Sequence, residues 1–122
     1  MSRHELELNV SSSNPLRNLQ LRVAHCQKCP RLVRFREHVS TVKRRSYKRS
    51  EYWGRPVQSF GDPKATVLII GLAPAAHGGN RTGRMFTGDA SARFLMGVLY
   101  ESGFASQPTS ESWDDDLELQ DL

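Results

Sequence analysis

Long apolar runs are missing from this 122-residue chain. No stretch approaches the ~20 consecutive apolar residues that a membrane-spanning helix needs, so a membrane role through a span is excluded. The N-terminus lacks the basic-then-apolar pattern of a secretory signal, which reads as a cytoplasmic chain. Cysteine is scarce: Cys26 and Cys29 are the only two, and they form a single CxxC pair. Apolar residues make up 38% of the chain and mean hydropathy is −0.54, on the polar side for a compact domain of this size. Internal repeats and long linkers are absent. The length allows one domain at most, of a size that can bury a working core.

Acidic residues are nearly missing from one region. Between Arg17 and Arg55 there are 12 Lys/Arg against two acids, Glu37 and Glu51. The final stretch, 111–122, holds six acids and no base. The formal net charge of +4 conceals this segregation. A basic block suggests contact with a polyanion, most simply nucleic acid. A solvated helix face or a disordered basic tract would show the same composition.

Residues 1–13 read as a polar, mobile N-terminal segment. Residues 14–122 read as the folded part. Asn14-Pro15 is a helix start, with Asn as cap and Pro in the first turn. Leu16, Leu19 and Val23 recur at helical spacing and are expected to face the core. Pro30 opens a second helix after Cys29, with Leu32, Val33, Phe35 and Val39 on a partly apolar face. Arg44-Arg45-Ser-Tyr-Lys48-Arg49 is a basic tract with an aromatic inside it. Residues 53–63 read as a loop rich in Gly and Pro. Residues 65–70 read as a strand of the fully buried kind, continuous in apolar character. Residues 91–102 read as a helix with Phe94, Leu95, Val98 and Leu99 on one face, ended by Gly103. Asp114-Asp115-Asp116 is a turn or tail.

The densest chemistry lies in residues 71–89, Gly-Leu-Ala-Pro-Ala-Ala-His-Gly-Gly-Asn-Arg-Thr-Gly-Arg-Met-Phe-Thr-Gly-Asp. Glycines, His77, Asn80, two arginines, Phe86 and Asp89 share one connection between the expected strand and the expected helix. Open α/β sheets place ligands at the C-terminal ends of their strands. Gly78-Gly79 permits backbone shapes closed to other residues and lets a ligand approach closely.

The CxxC pair has several readings at this stage. It is half of a zinc site, a redox pair, two of four iron–sulfur ligands, or two reduced thiols without a ligand. A thioredoxin-like pair usually follows a strand, and the pattern before Cys26 is helical. His25 adjoins Cys26 and cannot easily share its metal.

Residues 71–89 closely resemble the first signature motif of the type 5 uracil-DNA glycosylases, a branch of the uracil-DNA glycosylase superfamily. Tyr52-Trp53-Gly54-Arg55-Pro56-Val57, Phe60-Gly61-Asp62-Pro63, Cys26-Gln-Lys-Cys29-Pro30-Arg31-Leu32-Val33 and the segment from Gly103 to Ser110 also match. The resemblance covers roughly residues 16–119. Met85 departs from it, where the family usually has Pro. Family members run about twice as far. The part that follows in them carries further strands, a second motif with a histidine, and two more cysteines.

The resemblance implies an α/β fold, a three-layer α/β/α sandwich with a central parallel sheet, present here in part. It implies removal of uracil, and of other deaminated bases, from uracil-containing DNA in base-excision repair. The alternative is a basic fragment that binds nucleic acid without excision. The resemblance also implies a [4Fe–4S] cluster with Cys26 and Cys29 as two of its four ligands.

An enzyme acting on a base must extrude it from the stack and hold it on a flat apolar surface. Phe86, the only aromatic in the motif, is the candidate for stacking, with an ordinary core role as the competing reading. Leu72 and Ala73 offer backbone N–H groups to the base. Asn80 carries both a donor and an acceptor, which suits a uracil edge or a bound water. His77 is a candidate neutral hydrogen-bonding group or a loop stabiliser. Arg81, Thr82 and Arg84 are candidate phosphate contacts, with internal salt bridges as the alternative for the arginines. Sister families carry an acid or amide at the third motif position. Ala73 stands there here, which leaves the water to Asn80.

Overall fold

A computed structural model describes residues 14–122; the segment 1–13, expected to be mobile, lies outside the described residues. The chain order is α1 (Pro15–Ala24), α2 (Pro30–Val42), a 3₁₀ turn (Arg45–Tyr47), a single helical turn α3 (Gly79–Thr82) and α4 (Ala90–Glu101). Among the described residues no helix is long and apolar enough to cross a membrane.

Local cap chemistry sets the helix starts. The Asn14 side chain accepts from the N–H groups of Leu16 and Arg17 at 3.0 and 3.3 Å, satisfying two of the unpaired donors at the start of α1. Pro15 and Pro30 occupy first-turn positions of α1 and α2, where a missing N–H is harmless. Asp89 caps α4 by accepting from Ala92 N at 2.9 Å. Gly103, at φ +80°, turns the chain just past its end.

The core forms where α4 meets the C-terminal segment. Met96, Leu99 and Leu117 are buried, with Phe60, Phe86, Leu95, Phe104, Leu119 and Leu122 packed around them. The buried stripe of α4 therefore runs Ala92–Met96–Leu99 rather than through the expected Phe94 and Val98, which are exposed. Leu16, Leu19 and Val23 of α1, expected in the core, are also exposed. Helical periodicity identifies an apolar stripe, but the described residues place no element against these faces. α1 buries Ala24, and Gln20 ties it to the rest by donating to the carbonyl and hydroxyl of Ser59 at 3.1 and 3.0 Å.

The largest departure from expectation is at residues 65–70. They form no strand among the described residues, and the one β pairing there is an isolated antiparallel bridge between Ala105 and Leu119. The described architecture is mainly helical, and it contains no central parallel sheet. The expected buried strand is exposed, with Leu68 79% and Ile70 83% accessible. Its ties are few: Val67 N donates to Asp121 O at 3.3 Å, and Thr66 N donates to the Asp121 carboxylate at 2.6 Å. A strand is defined by its neighbours, and none of the described elements lies alongside to complete the ladder.

The C-terminal segment is fastened chiefly by one buried arginine. Arg84 is 6% accessible and ion-pairs with Asp115 at 2.7 Å. It also donates to Thr87 Oγ1 at 3.0 Å and Ser110 Oγ at 2.8 Å. Its guanidinium lies 4.7 Å from the Phe60 ring centroid. Burial by itself would push the Asp115 carboxyl up. The Glu111 N–H, the Arg84 guanidinium and the Ser112 N–H outweigh that and hold it below its ordinary value of 3.8. A depressed folded value makes this contribution fully present above the ordinary value and lost as pH falls through the folded one. Asp115→Ala leaves the Arg84 charge buried without its partner. It is expected to cost on the order of 3 kcal/mol in urea unfolding at pH 7 and to weaken the loss of stability below pH 4. An unchanged midpoint at pH 7 would show that Asp115 does not hold the segment.

Candidate functional site

Residues 71–89 are built around α3. The backbone turns at Ala75–Gly78, makes one helical turn, and reverses at Gly83, whose φ is +82°. The indole of Trp53 lies against Gly83, where a Cβ would stand 3.1 Å from Cδ2 of that ring. The N–H groups of Trp53 and Gly54 donate to the carbonyls of Arg81 and Asn80 at 3.0 and 3.1 Å, which satisfies the C-terminal end of α3. Two segments distant in sequence thus form one platform.

Asn80 is buried, and its amide nitrogen points inward. It donates to Arg36 O at 3.3 Å and Ala76 O at 3.4 Å, bridging α2 and the loop. Its carbonyl oxygen accepts from no group among the described residues, and no side-chain oxygen there is both sealed from solvent and unpartnered. The donor end is fixed and the acceptor end reaches solvent.

His77 sits half-buried between two tyrosines. Its Nδ1 is 2.9 Å from the Tyr52 hydroxyl, and the two rings meet edge to face with centroids 6.0 Å apart. The Tyr47 ring lies 6.4 Å away, tilted by 30°. Arg81 closes the group. Its Nε donates to His77 O at 2.7 Å, and its guanidinium stacks 4.2 Å from the Tyr47 centroid. Lys43 stands 5.8 Å from the Tyr52 ring and donates to Ser50 O at 2.8 Å. The basic tract and the motif are therefore joined through aromatic rings.

Phe86 has φ +47°, a left-handed conformation that costs a non-glycine residue about 1–2 kcal/mol. Its ring lies over the backbone of Gly71, where a Cβ would stand 3.0 Å from Cζ. It packs on the core and also lines a cleft of about 120 Å³ with Val67, Leu68, Ile69 and Leu95. Beside it the N–H groups of Leu72 and Ala73 meet no acceptor among the described residues, and Leu72 is fully exposed.

The three candidate phosphate contacts separate in the structure. Arg81 is half-buried at the rim. Thr82 is buried, and its hydroxyl donates to Arg84 O at 3.3 Å. Arg84 is committed to Asp115, Thr87 and Ser110. These internal bonds account for the two buried side chains without a phosphate.

Cys26 and Cys29 are unbonded thiols between α1 and α2, Cys26 half-buried and Cys29 exposed. Among the described residues no group of three His, Cys, Asp or Glu converges in a way that would hold a metal. Sequence reasoning assigned no role in this region to Tyr47, Thr87, Ser110 or Asp115. Asp115 lies 31 residues from Arg84 and Tyr52 lies 25 from His77, so no local spacing announces either pair.

Gly88 tests how tightly Arg81 is packed. Its φ is +75°, and a Cβ there would collide with Arg81 Nη2. Gly88→Ala is expected to lower stability by about 1–2 kcal/mol in thermal unfolding and to lift Arg81 from Tyr47. A variant as stable as the parent would show that Arg81 has room to move.

Residues 58–117 match the sequence profile of the Uracil DNA glycosylase superfamily. The chain is 52% identical over 99 residues to the type-5 uracil-DNA glycosylase of Pyrobaculum aerophilum, covering 81% of this chain and 43% of that protein. It is 54% identical over 90 residues to that of Thermus thermophilus, covering 74% and 41%. With that of Mycobacterium leprae it shares 47% over 112 residues, covering 92% and 48%. The chain thus spans a little under half the length of these curated relatives.

Proposed function

The chain belongs to the uracil-DNA glycosylase superfamily, and from that premise we propose that it is the base-recognition half of an enzyme that removes uracil from DNA. The arrangement of residues 71–89 is the observation that carries this reading. Open N–H groups on Leu72 and Ala73, an anchored Asn80 with its acceptor toward solvent, and the Phe86 ring lie within one loop.

The chemistry follows from those groups. Extruding a base from the stack costs a few kcal/mol. Stacking on an aromatic ring returns about 1–3 kcal/mol, and Phe86 supplies the ring. The bond between sugar C1′ and the uracil nitrogen then breaks, and its electron pair leaves with uracil. The sugar passes through an oxocarbenium-like state. A water oxygen bonds to C1′ and sheds a proton to solvent, from which the departing uracil anion takes one up. Asn80 accepts a hydrogen bond from that water and aims it. The N–H groups of Leu72 and Ala73 donate to the uracil edge, and such preorganised donors are worth roughly 10²–10³ in rate elsewhere. Arg81 and the basic tract face the DNA backbone. Thr82 and Arg84 serve by shaping the loop from inside.

The exposed thiols of Cys26 and Cys29 fit half the ligand set of a [4Fe–4S] cluster, which takes four thiolates. We propose them as two of these, with the other pair on the part of the longer relatives that this chain does not span. Such a cluster would clamp the start of α2. A central sheet completed by the same part accounts for the exposed apolar residues at 67–72. The wider α/β/α sandwich, and a cytoplasmic site of action, belong to this proposal too.

Two measurements test the function. Residues 14–122 joined to the remaining part of a type-5 relative are expected to release uracil from a uracil-containing duplex, scored by alkaline scission at abasic sites. Asn80→Ala in that protein is expected to lower the single-turnover rate about 10²-fold or more while leaving DNA affinity within a few fold. Binding with no release would favour the alternative of a DNA-binding fragment without excision. A wild-type rate in Asn80→Ala would remove Asn80 from the water.

A further inference from the structure

The contacts around His77 define which of its nitrogens faces outward. Nδ1 is taken by the Tyr52 hydroxyl at 2.9 Å. Nε2 has no partner among the described residues, although the ring is held on both sides by Tyr47 and Tyr52. A phenol is the stronger donor of this pair, and the unprotonated imidazole nitrogen is the stronger acceptor. The Lys43 ammonium near the Tyr52 ring strengthens the phenol as a donor. The hydroxyl therefore donates to Nδ1, and the remaining proton of the neutral imidazole resides on Nε2.

We propose that Tyr52 is a positioning residue that fixes His77 in the Nε2–H tautomer, making it a neutral donor to an anionic oxygen at the rim of the 71–89 loop. This rests on the glycosylase reading for the identity of the oxygen but not for the tautomer. The surroundings favour an anion. Arg81 is pinned to the His77 carbonyl and stacked on Tyr47, so its charge lies beside the imidazole. Lys43 Nζ stands 5.8 Å from the Tyr52 ring centroid. Two sources present the same chemistry: a phosphodiester oxygen of the strand, and a carbonyl oxygen of departing uracil, which gathers negative charge as the glycosidic bond breaks. A Tyr52–His77 bond controls either one, because the tautomer decides whether the outward nitrogen donates or accepts.

The test uses the chain as it stands, ¹⁵N-labelled, at pH 8, where an ordinary imidazole carries one proton. Long-range ¹H–¹⁵N correlation is expected to show the His77 ring protonated at Nε2. A ring protonated at Nδ1 overturns the assignment. Tyr52→Phe keeps the edge-to-face ring and removes only the hydroxyl, so it separates hydrogen bonding from packing. It is expected to convert the single tautomer into a mixture, whereas an unchanged spectrum overturns the role of Tyr52. Titration with a uracil-free oligonucleotide, and separately with free uracil, is expected to shift the His77 Nε2 signal in one arm, which identifies the source of the oxygen. No shift in either arm overturns the donor role. Tyr52→Phe is expected to weaken the productive arm by about fivefold, the size of one neutral hydrogen bond. Failure of uracil release in the extended protein would sink the glycosylase reading and leave the tautomer result standing.

Discussion

The described structure depends on one buried ion pair. Arg84 leaves the loop at its far end and reaches inward to Asp115, and its other N–H groups donate to Thr87, Ser110 and the Trp113 carbonyl. Thr87 and Ser110 are themselves completely buried and bonded to each other at 2.7 Å. A buried guanidinium is tolerable only when such a set is complete. The set ties the loop to residues 110–117, and Leu117 then brings the C-terminal segment onto α4. Loop shape and core are consequently one cooperative unit. The rim residues Asn80, His77 and Arg81 are positioned by backbone that this unit holds.

A different regime prevails a few residues upstream. Residues 67–72 present Val, Leu, Ile, Ile and Leu to solvent with few backbone ties. Unpaired, uncharged, β-branched backbone is a hazard for self-association in any chain that leaves it open. The same residues lead directly into the 71–89 loop. Its downstream half is therefore set by Arg84, while its upstream edge, including Leu72 and Ala73, gains rigidity only when the apolar run is covered. The division between the fastened and the unfastened part of the loop falls between Ala73 and Gly78.

What was legible in the sequence follows the range of the interactions. Asn14, Pro15, Pro30 and Gly103 act on neighbours within a turn, and the helices they bound appear nearly where expected. The 71–89 motif was legible as a candidate site because glycines and polar groups concentrate there whatever the tertiary context. The exposed faces of α1 and α4 were not, since periodicity shows that a stripe exists without showing what covers it. Residues 65–70 read as buried for the same reason. Asp115 read only as part of a turn or tail, because its ion pairing comes from a guanidinium 31 residues away. Phe86 takes the core position that was its ordinary reading and also lines the cleft.

Arg84 preorganises the downstream half of the loop without any further chain, and residues 65–72 lack such a hold. Amide hydrogen exchange on this chain measures that most directly. The account predicts protection at Thr82, Gly83 and Gly88, whose N–H groups are bonded to Gly78, Gly79 and Ser110, approaching the protection of the α4 core amides. It predicts rapid exchange at Leu68, Ile70 and Leu72. Equal, rapid exchange across the whole of 65–89 would contradict it, because the loop would then have no structure of its own.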